Sequence, residues 1–222
     1  MRRLLIYATK PLSIINYPLV FPTVYPITDT RISKISLAEQ VEKLIDGGAA
    51  FIQLREKYAA PRDFYEAAQA ALEIARKHRV KIIINDRVDI ALALKADGVH
   101  LGQDDLPPEN ARKILGAKAI IGFSTHNLEQ VAAAVKMPID YLAFGPVFAT
   151  TTKENPDATV GIEALKKVRQ SIGSFPLVAI GGINSENFRE VLQAGADSVA
   201  VISDLISDAG QITEKMHFFL GL

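Results

Sequence analysis

From Val24 to the end, the chain repeats one unit: a short, almost wholly apolar run, a few polar residues, then an amphipathic helical run. Val24–Thr28, Ala50–Leu54, Lys81–Ile84, Gly98–Leu101, Ala119–Phe123, Tyr141–Phe144, Pro176–Ile180 and Asp197–Val201 are the apolar runs. They do not alternate apolar with polar, as expected of strands buried on both faces. Helical patterns follow them at 36–46, 61–78, 89–95, 107–115, 127–135, 161–172, 185–194 and 210–220. Ser36 with Glu39 reads as a capping box, Gly47-Gly48 as a stop, and Asn127 as a helix cap. Asn184 or Ser185 would cap the helix over 185–194. Strand, helix and strand in that order make parallel βαβ units. Eight units joined by short turns favour a closed (β/α)8 TIM barrel, an α/β fold, over an open doubly wound sheet.

The chain has 222 residues, a length suited to a single barrel domain over 23–222 preceded by an N-terminal extension, 1–22. The basic start of that extension weakly resembles a signal peptide, but Lys10, Pro11, Pro18 and Pro22 break its apolar runs. No run approaches the roughly 20 apolar residues of a membrane span. Lys+Arg and Asp+Glu are equal at 25 each, so no global charge draws the chain to nucleic acid or acidic lipid. With no cysteine there are no disulfides or thiolate metal sites. The expectation is a cytoplasmic protein acting on small molecules, with a homo-oligomer left open.

Polar residues concentrate where the apolar runs end, and in a barrel those ends ring one mouth, where such folds place their chemistry. Gln53, Arg55 and Lys57 alternate, so they share a face; an Arg with a Lys suits a phosphate or diphosphate. Asn85-Asp86 ends the third strand and Gln103-Asp104-Asp105 follows the fourth. Asp86 with one of the adjacent Asp104 and Asp105 outlines a hard-cation site, since Mg2+ takes one or two carboxylates plus substrate oxygens. Asp89 reads as a helix-cap aspartate. Ser124 follows the fifth strand. The longest loop, 146–160, carries Thr150, Thr151, Thr152 and Lys153 and reads as a lid. Gly181-Gly182 after strand seven and Ile202-Ser203 after strand eight suit a backbone phosphate cradle; the glycines could equally serve a tight turn. His100, inside a strand, reads as structural and outside the site; His126 reads as a supporting residue, and His78 and His217 as surface. Two anionic subsites in one mouth, one of them metal-assisted, fit a diphosphate donor beside a phosphorylated acceptor.

Seven segments in order resemble the thiamine phosphate synthase family: Tyr25-Pro-Ile-Thr-Asp29, Gln53-Leu-Arg-Glu-Lys57, Ile84-Asn-Asp-Arg87, Gly98-Val-His-Leu-Gly-Gln-Asp-Asp105, Ile121-Gly-Phe-Ser-Thr-His126, Gly145-Pro-Val-Phe-Ala-Thr-Thr-Thr-Lys153 and Ala179-Ile-Gly-Gly-Ile183. The resemblance implies a transferase that joins 4-amino-2-methyl-5-(diphosphooxymethyl)pyrimidine to a methylthiazole bearing a phosphooxyethyl group, releasing diphosphate. It implies that Gln53, Arg55, Lys57, Asn85, Ser124 and Lys153 hold the pyrimidine diphosphate, with Arg55, Lys57, Ser124 and Lys153 serving catalysis. It implies Asp86 and Asp105 as ligands of one Mg2+, and Thr150, Thr152, Gly181 or Gly182, Ile202 and Ser203 as the thiazole phosphate site. The implied reaction is dissociative: diphosphate leaves first and the thiazole nitrogen captures a pyrimidine methyl cation. A thiazole tautomerase of the same fold and a non-catalytic phosphate-binding barrel are the alternatives.

Overall fold

The computed structural model describes residues 21–150, 152 and 157–222. Eight parallel strands, β1 (Val24–Pro26), β2 (Phe51–Leu54), β3 (Lys81–Asn85), β4 (Gly98–Leu101), β5 (Ile120–Thr125), β6 (Tyr141–Phe144), β7 (Leu177–Ile180) and β8 (Ser198–Val201), run side by side in chain order, with β1 against β8. The backbone N–H of Thr28 donates to the Gln53 carbonyl (2.9 Å), and Ile27 bridges Gln53, so β1 also meets β2 and the ring closes. This is the (β/α)8 barrel that the repetition predicts.

The outer helices are α2 (Leu37–Asp46), α3 (Pro61–Lys77), α4 (Val88–Leu94), α5 (Pro108–Leu115), α6 (Leu128–Ala134), α7 (Gly161–Ile172), α8 (Phe188–Gln193) and α10 (Ile212–Leu220). Ser36 Oγ accepts from Glu39 N–H (3.2 Å) and Asn127 Oδ1 from Gln130 N–H (2.9 Å), so both expected caps form. Two one-turn helices, α1 (Thr30–Ser33) and α9 (Ser203–Ile206), have no counterpart in the sequence reading. They are too short to carry a periodic apolar face. The helix expected over 185–194 starts only at Phe188. Asn184 Oδ1 accepts from the N–H groups of Glu186 and Asn187, and this turn delays helix entry. Likewise the last helix starts at Ile212, after an Asp208 turn that takes the Gly210 N–H.

Burial divides in two. Side chains pointing out of the strands, such as Ile52, Ile84, Val99, Leu142 and Val199, pack against the helices. Those pointing in, among them Tyr25, Phe51, Ile83, Tyr141 and Val178, fill the barrel interior. Phe21 packs against Tyr25, Phe51 and Tyr141, its ring centroid 4.7 Å from that of Tyr141. The expected N-terminal extension otherwise lies outside the described residues. At the opposite rim from the strand ends, one staple recurs. Asp97, Asp140 and Asp197 each accept a backbone N–H at the start of a strand, from Ile82 and Ile121, the second residues of β3 and β5, and from Leu177, the first of β7. Arg112 and Arg169 add ion pairs to Asp140 and Asp197.

Candidate active site

A cavity of about 490 Å³ opens at the carboxyl ends of the strands. Gln53, Arg55, Lys57, Asn85, Asp86, Asp105, Ser124, Thr150, Thr152, Gly181 and Ile202 all line it, so most of the residues singled out in the sequence share one mouth. Lys153 and Thr151 lie outside the described residues. Ser203 is exposed and Gly182 is half-buried, and neither lines the cavity.

The two glycines have a packing reason. A Cβ on Gly181 would sit 2.4 Å from Pro146 Cα, and one on Gly182 would sit 2.4 Å from the Ala149 carbonyl oxygen. Both also have positive φ, 100° and 63°. Only glycine lets the β7 turn approach the base of the 146–160 loop this closely. Val147 N–H to Ile180 O (2.9 Å) and Phe148 N–H to Gly181 O (3.0 Å) fasten that base.

The acidic side is built on two turns. Asp86 has φ 62°, a conformation unusual for a non-glycine residue, and its carboxylate meets Lys57 Nζ at 2.5 Å. Asp105 folds back so that Oδ2 accepts the Gly102 N–H (2.6 Å). Burial, helped by the neighbouring Asp86 carboxylate, pushes the Asp105 carboxyl up to about 6, although the Gly102 bond and Lys57 oppose the shift. The Asp86 carboxylate adds to the raised proton affinity of Asp105, and two carboxylates placed this close suit a cation. Among the described residues no group of three or more His, Cys, Asp or Glu side chains could enclose a metal, so an ion here would complete its shell with oxygens from water or a ligand. Asp104 also borders the cavity, against the expectation that only one of the adjacent pair would, because the 102–105 turn leaves it exposed at the rim.

Arg55 is buried and ion-paired with Asp29, whose other oxygen caps α1 through the N–H groups of Arg31 (2.9 Å) and Ile32 (3.2 Å). Beside the phosphate or diphosphate expected of Arg55, the fold gives it a buried structural partner.

His100, set aside in the sequence, lines the cavity. It is buried, its Nδ1 lies 2.9 Å from Tyr141 Oη and its Nε2 2.8 Å from Ser124 Oγ. Burial holds its pKa down to about 4, so the ring is neutral. Strand parity could have found it: His100 points inward, in register with Asn85 and Gly122. His126 also lines the cavity. Its Nδ1 donates to the Gly145 carbonyl (2.7 Å) and its Nε2 lies 3.6 Å from Asp157.

The closed parallel barrel, with cations and paired carboxylates gathered at its carboxyl end, defines the class: a (β/α)8 protein with a charged, polar cavity at the mouth where such folds place their chemistry. Sequence comparison makes this specific. The family model described as thiamine monophosphate synthase (TMP-TENI) matches residues 24–205, and the chain belongs to that family, a family of transferases. A thiamine-phosphate synthase of Clostridium novyi is 47% identical over 195 residues, 87% of this chain and 93% of that protein. One from Syntrophomonas wolfei is 48% identical over 185 residues, covering 83% and 88%. The solved structure of a thiamine phosphate pyrophosphorylase from Pyrococcus furiosus superposes with TM-score 0.79 at 37% identity, covering 89% of this chain and 93% of that one.

Proposed function

We propose that this protein is a thiamine phosphate synthase that joins an aminopyrimidine methyl diphosphate to a thiazole phosphate. The observation that carries this reading is the meeting of Arg55 and Lys57 with the Asp86 and Asp105 carboxylates in one cavity whose far wall includes Gly181 and Ile202. In the reaction the bond from the pyrimidine methylene to the diphosphate oxygen breaks, diphosphate leaves with the electron pair, and the thiazole nitrogen forms the new C–N bond. No proton is transferred, which agrees with a site whose central imidazole is neutral and already committed to two hydroxyl groups.

Charge explains why a divalent ion belongs in the scheme. Among the described residues the cavity wall has Arg55 and Lys57 as cations against Asp86, Asp104, Asp105 and Asp157. A diphosphate would meet net negative charge there. Asp86 and Asp105 would hold Mg2+, which when bound neutralises developing charge on the leaving group. Arg55 and Lys57 add hydrogen-bonded cations to the same oxygens. Thr150 and Thr152 from the loop, with the backbone near Gly181 and Ile202, would take the thiazole phosphate. Lys153 is proposed as a further diphosphate ligand from the motif alone.

The test is diphosphate release from the two substrates, with and without Mg2+, in wild type and Asp86→Ala. Release should require both substrates and Mg2+, and the variant should fall by about 10²–10³-fold, the scale of losing a charge-stabilising group. Full turnover of the variant, or release without Mg2+, refutes the assignment. A tautomerase or a pure binding protein would release none.

A further inference from the structure

A row of buried side chains joins the two neutral polar groups that would face the pyrimidine. Gln53 Nε2 donates to Tyr25 Oη (3.0 Å), and Tyr25 Oη lies 3.0 Å from Tyr141 Oη. Tyr141 Oη reaches His100 Nδ1 (2.9 Å), and His100 Nε2 reaches Ser124 Oγ (2.8 Å). Gln53, Tyr25, Tyr141 and His100 are all buried. The contact is built into the backbone: a Cβ on Gly122 would lie 2.3 Å from Tyr141 Oη and 2.5 Å from His100 Nδ1.

Each phenol has one proton and, between two partners, must donate to one and accept from the other. A neutral imidazole likewise has one N–H. If any two protons along the row faced each other, a hydrogen bond sealed from water would be lost. The row therefore has two arrangements. In one, Gln53 donates inward and turns its carbonyl oxygen to the cavity. Protons then run from Tyr25 to Tyr141 to His100 Nδ1, Nε2 carries the imidazole proton, and Ser124 is left free to donate. In the other every direction reverses: Gln53 presents its amide N–H and Ser124 presents a lone pair.

We infer that Tyr25, Tyr141 and His100 form a hydrogen-bond wire that locks the polarity of Gln53 to that of Ser124, selecting a ring whose amino group donates to Gln53 while another atom accepts from Ser124. It rests on the function proposed above and makes Tyr141 a positioning residue. Burial raises the pKa of both phenols and lowers that of His100, so the wire stays uncharged. Among the described residues Gln53 Oε1 has no protein partner, which leaves it for a ligand.

The experiment is ¹⁵N NMR of histidine-labelled, substrate-free protein, with His100 assigned through His100→Gln and the pH raised until the ¹³C carboxyl shift of residue 53 in Gln53→Glu shows an ionised carboxylate, because burial raises its pKa above the ordinary glutamate value. Wild type should show the Nε2–H tautomer. Gln53→Glu, whose carboxylate can only accept, should switch His100 to Nδ1–H, and adding Tyr25→Phe should abolish that dependence. An Nδ1–H tautomer in wild type, or an unchanged tautomer in folded Gln53→Glu, overturns the wire; if Gln53→Glu does not fold, the wild-type tautomer decides. A second arm compares 4-amino with 4-oxo pyrimidine diphosphates. Tyr141→Phe should cut the preference for the amino ring ~10-fold or more, because a site built for a hydrogen bond discriminates only while its polar groups are oriented. An unchanged preference overturns the selective role. If no diphosphate is released even by wild type, the proposed reaction fails while the tautomer result stands.

Discussion

Replacing Arg55 by methionine separates its two roles. The side chains of Arg55 and Asp29 are 10% and 6% exposed, so the pair is shielded from solvent on both sides. Methionine keeps most of the alkyl packing and deletes the charge. Asp29 then keeps its Oδ1 bonds to the N–H groups of Arg31 and Ile32, but the oxygen that faced Arg55 is left buried with no cation. Breaking a buried pair from one side costs about 3–5 kcal/mol, because the remaining charge is uncompensated. Here the surviving cap bonds place the expected loss near the lower end, about 3 kcal/mol. With a urea slope of about 2–3 kcal/mol per molar, the midpoint of substrate-free unfolding should fall by roughly 1 M or more. The decisive comparison is a double-mutant cycle with Asp29→Asn. Once the carboxylate is neutral, Arg55→Met should cost about 2 kcal/mol less than in the wild-type background, within the range measured for residues in contact. Additivity within about 0.5 kcal/mol would show that the two side chains do not depend on one another, and the argument from burial would be refuted.

The remaining expectations concern the cavity floor. His100 ionises near 4 rather than 6.5 because burial disfavours its charged form. Its contribution is therefore fully present above pH 6.5 and lost as pH falls towards 4, by about 3 kcal/mol in total. The stability difference between wild type and His100→Gln, followed by urea denaturation across that window, should shrink by this order as pH falls; parallel profiles would refute it. Gly122→Ala places a Cβ 2.0 Å from Tyr141 Cζ. Overpacking of this kind costs about 1–3 kcal/mol. For a chain of this size that is a drop of roughly 2–12 °C in Tm, at about 2–4 °C per kcal/mol, and calorimetry unchanged within a degree would count against the close packing described here.

The strands were legible because each is apolar on both faces and each is followed by a helical pattern long enough to show its period. α1 and α9 were not: four residues cannot display a helical face, and α1 exists because Asp29 caps it while holding Arg55. The start of α8 was misplaced because Asn184 makes a local turn that competes with the helix. The site was legible through position rather than chemistry. Gln53, Arg55, Asp86, Asp105 and Ser124 could be assigned to one mouth because every parallel strand ends on the same side. His100 was not, because a histidine between Val99 and Leu101 looks like any core residue until its neighbours in the barrel wall are known.

The sequence alone therefore determined the architecture and the ring of polar strand ends, since both follow from periodicities read within a single unit. Only the tertiary structure decided what each polar group is bonded to. Tyr25 meets Tyr141 across 116 positions of chain, and Arg55 meets Asp29 across 26. Such partners are chosen by barrel closure and strand register, which no local pattern contains. Closure also explains why Gly122 must lack a side chain: the space it leaves is filled by two residues from other strands, Tyr141 and His100.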